Sequence, residues 1–141
     1  MNYPAGPFRN SLSKSLVSPK HDPTIFTDDD LGRTPYMVYG EKSHSYHIAR
    51  LGEDMISLAE PPRPLVIHGE RRQNAPQWMD TNYLFKHDSV YYLSWGSDYA
   101  ISRNVYGPYQ CAGSVGEGHK LGHFGHGSFF WWKGQVHHTW Y

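Results

Sequence analysis

The sequence predicts an all-β fold built from short antiparallel strands. Three observations point to it. Helical periodicity is nearly absent: the one stretch that approaches it, around 48–59, is weakened by Gly52 and β-prone Ile56. Short aromatic and β-branched runs recur instead, each closed by Gly, Asp or Pro. Tyr 11, Phe 6 and Trp 5 make the chain 16% aromatic, and Gly 14 with Pro 10 make it turn-rich. That composition is too aromatic for a disordered chain and too rich in turns for a helical bundle.

The runs follow one another in order. Residues 23–27 form the first, closed by Asp28-Asp29-Asp30-Leu31-Gly32. That acidic triplet lacks the alternating spacing and distant Glu of a calcium loop, so it reads as a hairpin turn. Residues 36–39 return to Gly40, and 46–51 follow. Two short runs, 56–58 and 65–67, flank the proline cluster Pro61-Pro62-Arg63-Pro64, where a central strand cannot continue. Residues 82–86 pass through His87-Asp88-Ser89 into 90–95, and 99–102 precede a turn at 104–108 before 109–112. Residues 128–132 then pass through Lys133-Gly134 into 135–140.

These runs group into similar units opening near Asp22, Asp80 and Gly125. In each, a polar residue opens a strand, a tight turn follows, and a Tyr/Trp-rich strand returns. A repeat of roughly 40 to 60 residues of this kind is the mark of a propeller blade. A β-sandwich with similar hairpins fits the same pattern equally well. Propellers have about four to eight blades, and this chain holds about two and a half. Residues 1–20 read as the end of a first blade, since Gly6-Pro7-Phe8 matches Gly107-Pro108-Tyr109 in type. Residues 21–75 read as a second blade, 76–118 as a third and 119–141 as the start of a fourth. The chain is therefore expected to be a piece of a larger domain.

Thirteen Lys+Arg balance thirteen Asp+Glu, so no basic field exists to hold a nucleic acid backbone. Cys111 is the only cysteine, which excludes an internal disulfide and a cysteine-based zinc cluster. No apolar run reaches the length of a membrane helix, and Met1 to Asn10 hold no apolar signal core. Polar residues that open the inner strands of successive blades converge near a propeller axis. Asp22, Asp80 and His126 hold that place in the three units. Two carboxyls there could divide acid and base work if their surroundings separate their pKa values. The same aspartates also fit turn caps ahead of strands.

The segment His21-Asp22-Pro23-Thr24-Ile25-Phe26-Thr27-Asp28-Asp29-Asp30, followed by Tyr36-Met37-Val38-Tyr39-Gly40, resembles the second-blade motif of glycoside hydrolase family 43. Tyr83-Leu84-Phe85-Lys86, then Tyr91-Tyr92-Leu93-Ser94-Trp95-Gly96, Tyr99-Ala100-Ile101-Ser102 and Tyr106-Gly107-Pro108-Tyr109 resemble the third. Gly125-His126-Gly127-Ser128 and its aromatic hairpin resemble the fourth. The resemblance implies a five-bladed β-propeller that cleaves β-xylosides, α-arabinofuranosides or related linkages of plant polysaccharides with inversion. It implies a base in the first blade, an aspartate in the second that orients and tunes the acid, and a glutamate general acid in the third. Asp22 matches the tuning aspartate. Asp80 of Asp80-Thr81-Asn82 stands where the family has the acid glutamate. Aspartate is one methylene shorter, which sets its proton back by roughly 1.5 Å. The first-blade base has no counterpart here, so the chain alone is expected to be inactive. A carbohydrate-binding propeller without catalysis is the rival expectation, motivated by the Glu-to-Asp departure.

The resemblance also assigns His126 to the propeller centre, as a ligand of a structural calcium or an ordered water; no other cofactor is implied. A histidine packed among aromatics fits His126 equally well. His137 and His138 are strand neighbours on opposite faces and cannot share a metal. Trp78 and Trp95, with Trp131 and Trp132, suit stacking on sugar faces, although such residues are more often packing groups. Trp78, close to Asp80, is the better sugar platform. The expected partner is an oligo- or polysaccharide.

Overall fold

The computed structural model describes residues 9–10, 12–17, 21–41, 45–69, 81–115 and 126–139. Among them eleven strands form three sheets, and there is no helix. The first sheet holds β1 (His21–Thr27), β2 (Pro35–Glu41), β3 (Ser45–Arg50) and β4 (Arg63–Pro64) in sequential, antiparallel order. The second holds β6 (Tyr83–His87), β7 (Val90–Trp95), β8 (Asp98–Ser102) and β9 (Tyr109–Ser114), again sequential and antiparallel. β5 (Ile67–His68) adds to β9 in parallel. The third is the hairpin of β10 (Ser128–Trp132) and β11 (Gln135–Thr139).

Most of these strands are the aromatic runs of the sequence, and the turns between them have local causes. Asp28-Asp29-Asp30 is a hairpin turn: the Asp30 carboxylate accepts the Thr34 N–H at 2.8 Å and the Thr34 hydroxyl at 2.7 Å. The run at 56–58 is not a strand. Asp54 Oδ1 accepts from the Ile56 and Ser57 amides and the Ser57 hydroxyl, and that turn uses the donors a ladder would need. The helical reading of 48–59 fails because residues 48–50 pair with β2 in β3 and the Asp54 turn takes up 56–57. The proline cluster, read as a break, contains β4, with Pro64 opposite His47. Pro64 is tolerated because β4 is an edge strand. Leu65 is buried without belonging to a strand. Ile67 and His68 fall in sequence with the first sheet's unit but pair in the second sheet.

Alternation along the strands stacks the sheets face to face. β2 is buried on both sides. Its Tyr36 and Val38 join Tyr46, Ile48, Leu84, Tyr91, Leu93 and Trp95 between the first and second sheets. Its Met37 and Tyr39 face the other way, onto Leu51, Leu58, Leu16 and Val17. The second sheet repeats this. Tyr91, Leu93 and Trp95 of β7 face the first sheet, while Phe85 of β6 stacks on Phe129 of β10 with ring centroids 4.5 Å apart. Tyr39, Tyr46 and Tyr109 are almost fully buried, and each such ring contributes about 1.5–3 kcal/mol relative to exposure.

Polar links cross between the sheets as well. The Asp28 carboxylate, 4% exposed, accepts from Tyr91 Oη at 2.6 Å and from Lys86 Nζ at 2.7 Å. Lys86 also bonds Asp29. Those two bonds hold the Lys86 ammonium above its usual range, and the Lys86 bond holds Asp29 below the usual carboxylate range. Burial, then the bond to Asp28, pushes the Tyr91 hydroxyl up to about 12. A second link runs through Glu60, whose Oε1 accepts from Tyr106 Oη at 2.6 Å and from the Arg50 amide at 3.0 Å. Burial alone would raise Glu60, but the Tyr106 and Arg50 bonds outweigh it and hold the carboxyl below its ordinary 4.5. A lowered native pKa contributes stability above about pH 4.5 that is lost as pH falls through the native value. Glu60→Gln is therefore expected to flatten the fall in melting temperature below pH 4.5. An unchanged slope would show that the carboxylate contributes nothing.

Candidate functional site

The strands β1, β6 and β10 stand side by side and run the same way. Asp22 of β1 meets Thr81 just ahead of β6, and Asp28 beyond the other end of β1 meets Lys86 near the other end of β6. Tyr83 Oη of β6 donates to the Phe129 carbonyl of β10 at 3.2 Å, and further along His87 lies 4.6 Å from the Trp131 ring. The starts of β1, β6 and β10 are therefore gathered at one end of the stack.

A β-bulge aims Asp22 at its neighbour. His21 pairs with Gly40 and Thr24 with Val38, so Asp22 and Pro23 together oppose Tyr39. Asp22 takes a left-handed backbone, φ 49°. Bulges of this kind re-aim a side chain out of the regular alternation. The half-buried Asp22 reaches across the sheet boundary, where its Oδ2 accepts the Thr81 N–H at 3.0 Å. That amide belongs to the peptide bond joining residues 80 and 81. Thr81 is also left-handed, φ 57°, and its Oγ1 accepts the Gly96 N–H at 2.9 Å. The strained backbone on both sides is held by hydrogen bonds from three separate segments.

Asn82, next in the chain, is fully buried. Its Nδ2 donates to Thr24 Oγ1 at 3.0 Å and to the Val38 carbonyl at 3.1 Å, so one amide ties the start of β6 to both β1 and β2. Its Oδ1 is buried without a hydrogen-bond partner among the described residues. The sequence reading missed Thr81, Asn82 and Thr24 as site residues. The available signal was the polar pair Thr81-Asn82 placed directly before an apolar strand.

Asp80 and Trp78 lie outside the described residues. His126 is half-buried, two residues ahead of β10. Among the described residues no group of three or more His, Cys, Asp or Glu side chains could hold a metal ion. Trp95 is corrected by the structure. It was expected to offer a face to sugar, but it is 5% exposed and lies in the core between the first two sheets, 6.2 Å from the Tyr46 ring. Its position on the inward face of β7, in step with Tyr91 and Leu93, puts it there. Trp131 and Trp132 are about half exposed on the hairpin.

The stacked sheets have counterparts in solved enzymes. An endo-1,4-beta-xylanase from Bacteroides thetaiotaomicron superposes with a TM-score of 0.75 at 23% identity, over 98% of this chain and 54% of that one. An alpha-L-arabinofuranosidase from Clostridium thermocellum gives 0.72 at 24% identity, over 95% of this chain and 49% of that one. A beta-xylosidase/alpha-arabinofuranosidase from a compost microbial metagenome, in complex with xylotriose in a calcium-free form, gives 0.61 at 23% identity, over 83% and 47%. The chain thus spans about half the length of these relatives. No protein of curated function matches it significantly. Its sheets are roughly two and a half blades of the five-bladed β-propeller those enzymes share. Residues 2–130 match the family model of the glycosyl hydrolases family 43, and the chain belongs to that family.

Proposed function

We propose that this chain carries the acid side of an inverting glycosidase site. In this reading Asp80 protonates the leaving glycosidic oxygen, and Asp22 orients Asp80 and keeps its carboxyl protonated long enough to act as an acid. The activating base comes from a part of the first blade that has no counterpart among these residues. The observation that carries the reading is the 3.0 Å bond from the Thr81 amide to Asp22 Oδ2. It sets the Asp22 carboxylate against the Thr81 amide, one residue after Asp80 in the chain. A negative charge nearby disfavours ionisation of a second carboxyl, which is what a general acid working near neutral pH needs. Inversion requires the two working carboxyls to stand about 6.5–9.5 Å apart with a water between them. The substrate class is a pentoside, a β-xyloside or an α-arabinofuranoside, in line with the activities of the related enzymes. Trp78 is the proposed sugar platform. Calcium enters no step.

The test has two arms. The 141-residue chain alone is expected to release no product from aryl xylosides or arabinofuranosides; clear turnover would overturn the division of the site. A longer protein that supplies the remaining blades is expected to hydrolyse one of them. Proton NMR during that reaction should show the inverted anomer first, and the retained anomer would refute single displacement. The second reading is a carbohydrate-binding propeller without catalysis, favoured by aspartate at position 80 where the family has glutamate. It predicts xylotriose binding by calorimetry with no turnover in the longer protein.

A further inference from the structure

We propose that Asn82 is the positioning residue that holds the Asp22 carboxylate on the Thr81 amide. The inference rests on the proposed roles of Asp22 and Asp80, which it deepens. Asn82 is fully buried, and its Nδ2 spends both its protons on the first sheet, one on Thr24 Oγ1 and one on the Val38 carbonyl. Thr24 lies two residues from Asp22 and directly beyond the bulge. Val38 is its ladder partner across β2. Asn82 is bonded through the chain to Thr81, whose amide meets Asp22. A closed ring results: Asp22, Thr24, the Asn82 side chain, the Thr81–Asn82 backbone, and back to Asp22.

The ring has a specific consequence. β1 and β6 belong to different sheets, and no ladder fixes their separation. The Asp22–Thr81 bond joins them at a bulge, where the ladder of β1 is interrupted. The Asn82 amide supplies the missing ladder at this level, with two bonds of good length to two different strands. Its planar Nδ2 cannot satisfy Thr24 and Val38 together unless β6 enters at one height along β1. That height sets the distance between the Asp22 carboxylate and the residue 80–81 peptide. Among the described residues Asn82 Oδ1 has no hydrogen-bond partner, so these two Nδ2 bonds orient the side chain.

The test reads the positioning directly, on the 141-residue chain labelled with nitrogen-15. An amide that donates to a carboxylate shifts when that carboxylate is protonated, because the charge-assisted bond is the stronger one. The Thr81 amide resonance is expected to follow the Asp22 titration in the wild-type chain. In Asn82→Ala that dependence should be mostly lost. Leu93→Ala, a core truncation matched in melting temperature, should leave it intact, which separates positioning from general loosening. Thr24→Val removes one acceptor and keeps the shape; it should lose part of the dependence, and it decides the matter where Asn82→Ala does not fold. A Thr81 amide that still follows Asp22 with undiminished amplitude in either folded variant overturns the proposal. The catalytic reading is tested apart from this. In the longer protein Asn82→Ala should lower kcat with little change in KM. If Asp80→Asn leaves the rate unchanged, the catalytic reading fails while the Thr81 result still stands or falls by itself.

Discussion

Asp80→Asn in a longer protein that supplies the remaining blades is expected to lower kcat on an alkyl or oligosaccharide pentoside by about 10²–10⁴-fold, the usual contribution of a positioned general acid. Asparagine keeps the size and hydrogen-bonding shape of aspartic acid but has no acidic proton. The loss should therefore depend on the leaving group. A xyloside whose aglycone departs easily needs little protonation and should be hydrolysed at a rate closer to wild type. The pH profile should lose its alkaline limb, since that limb reports the acid being deprotonated. KM should change little, because the acid's bond to the glycosidic oxygen strengthens in the transition state. A loss below tenfold on the poor leaving group, with the alkaline limb intact, would remove Asp80 from the acid role. Such retained turnover would equally count against the binding reading, which predicts none.

Lys86→Met should destabilise the chain by about 3 kcal/mol, the low end of the cost of stripping one partner from a buried ion pair. Methionine preserves most of the apolar stem, so the change isolates the charge. Asp28 is 4% exposed and would be left with the Tyr91 hydroxyl and the Asp29 amide as its donors. Neither carries a charge to offset the carboxylate. In a chain of this size the loss corresponds to roughly 10 °C in melting temperature. Lys86→Met with Asp28→Asn should recover part of it, since the uncompensated charge is then gone. The alkaline arm has its own sign. The Tyr91 hydroxyl is raised to about 12 in the fold. Its stability contribution is therefore complete below about pH 10 and is lost as pH rises toward 12. A Lys86→Met chain that melts within a degree or two of wild type would show that the Asp28 carboxylate is satisfied without its cation.

The strands that the sequence made legible are those with two apolar faces or strong aromatic alternation. Tyr36 to Tyr39 and Tyr91 to Trp95 read as buried strands because nearly every residue has somewhere to pack. The misread elements are those in which a local hydrogen bond competes with the pattern. Ile56 and Leu58 look like a strand until Asp54 takes the intervening amides. Pro64 looks like a break until the edge of the first sheet accepts it. Trp95 illustrates a different limit. Its type suits a sugar platform, but which face of β7 points at the core depends on sheet stacking, which composition does not carry. Asp22 was legible as a polar residue opening a strand. Its reach to Thr81 was not, because it depends on a bulge and on left-handed backbone both at Asp22 in β1 and at Thr81 ahead of β6.

By itself the sequence determined most of the strands and the hairpin turns between them. These are local matters of side-chain alternation and turn chemistry, and each is written within a few consecutive residues. The tertiary structure alone decided which strand starts meet. The Asp22–Thr81 bond, the Asn82 bridge to Thr24 and Val38, and the Asp28–Lys86–Tyr91 link all join residues far apart in the chain. Among the described residues no sheet ladder runs between the stacked sheets. Their register is set by buried polar bonds and interlocking rings, and those contacts exist only once the faces are closed.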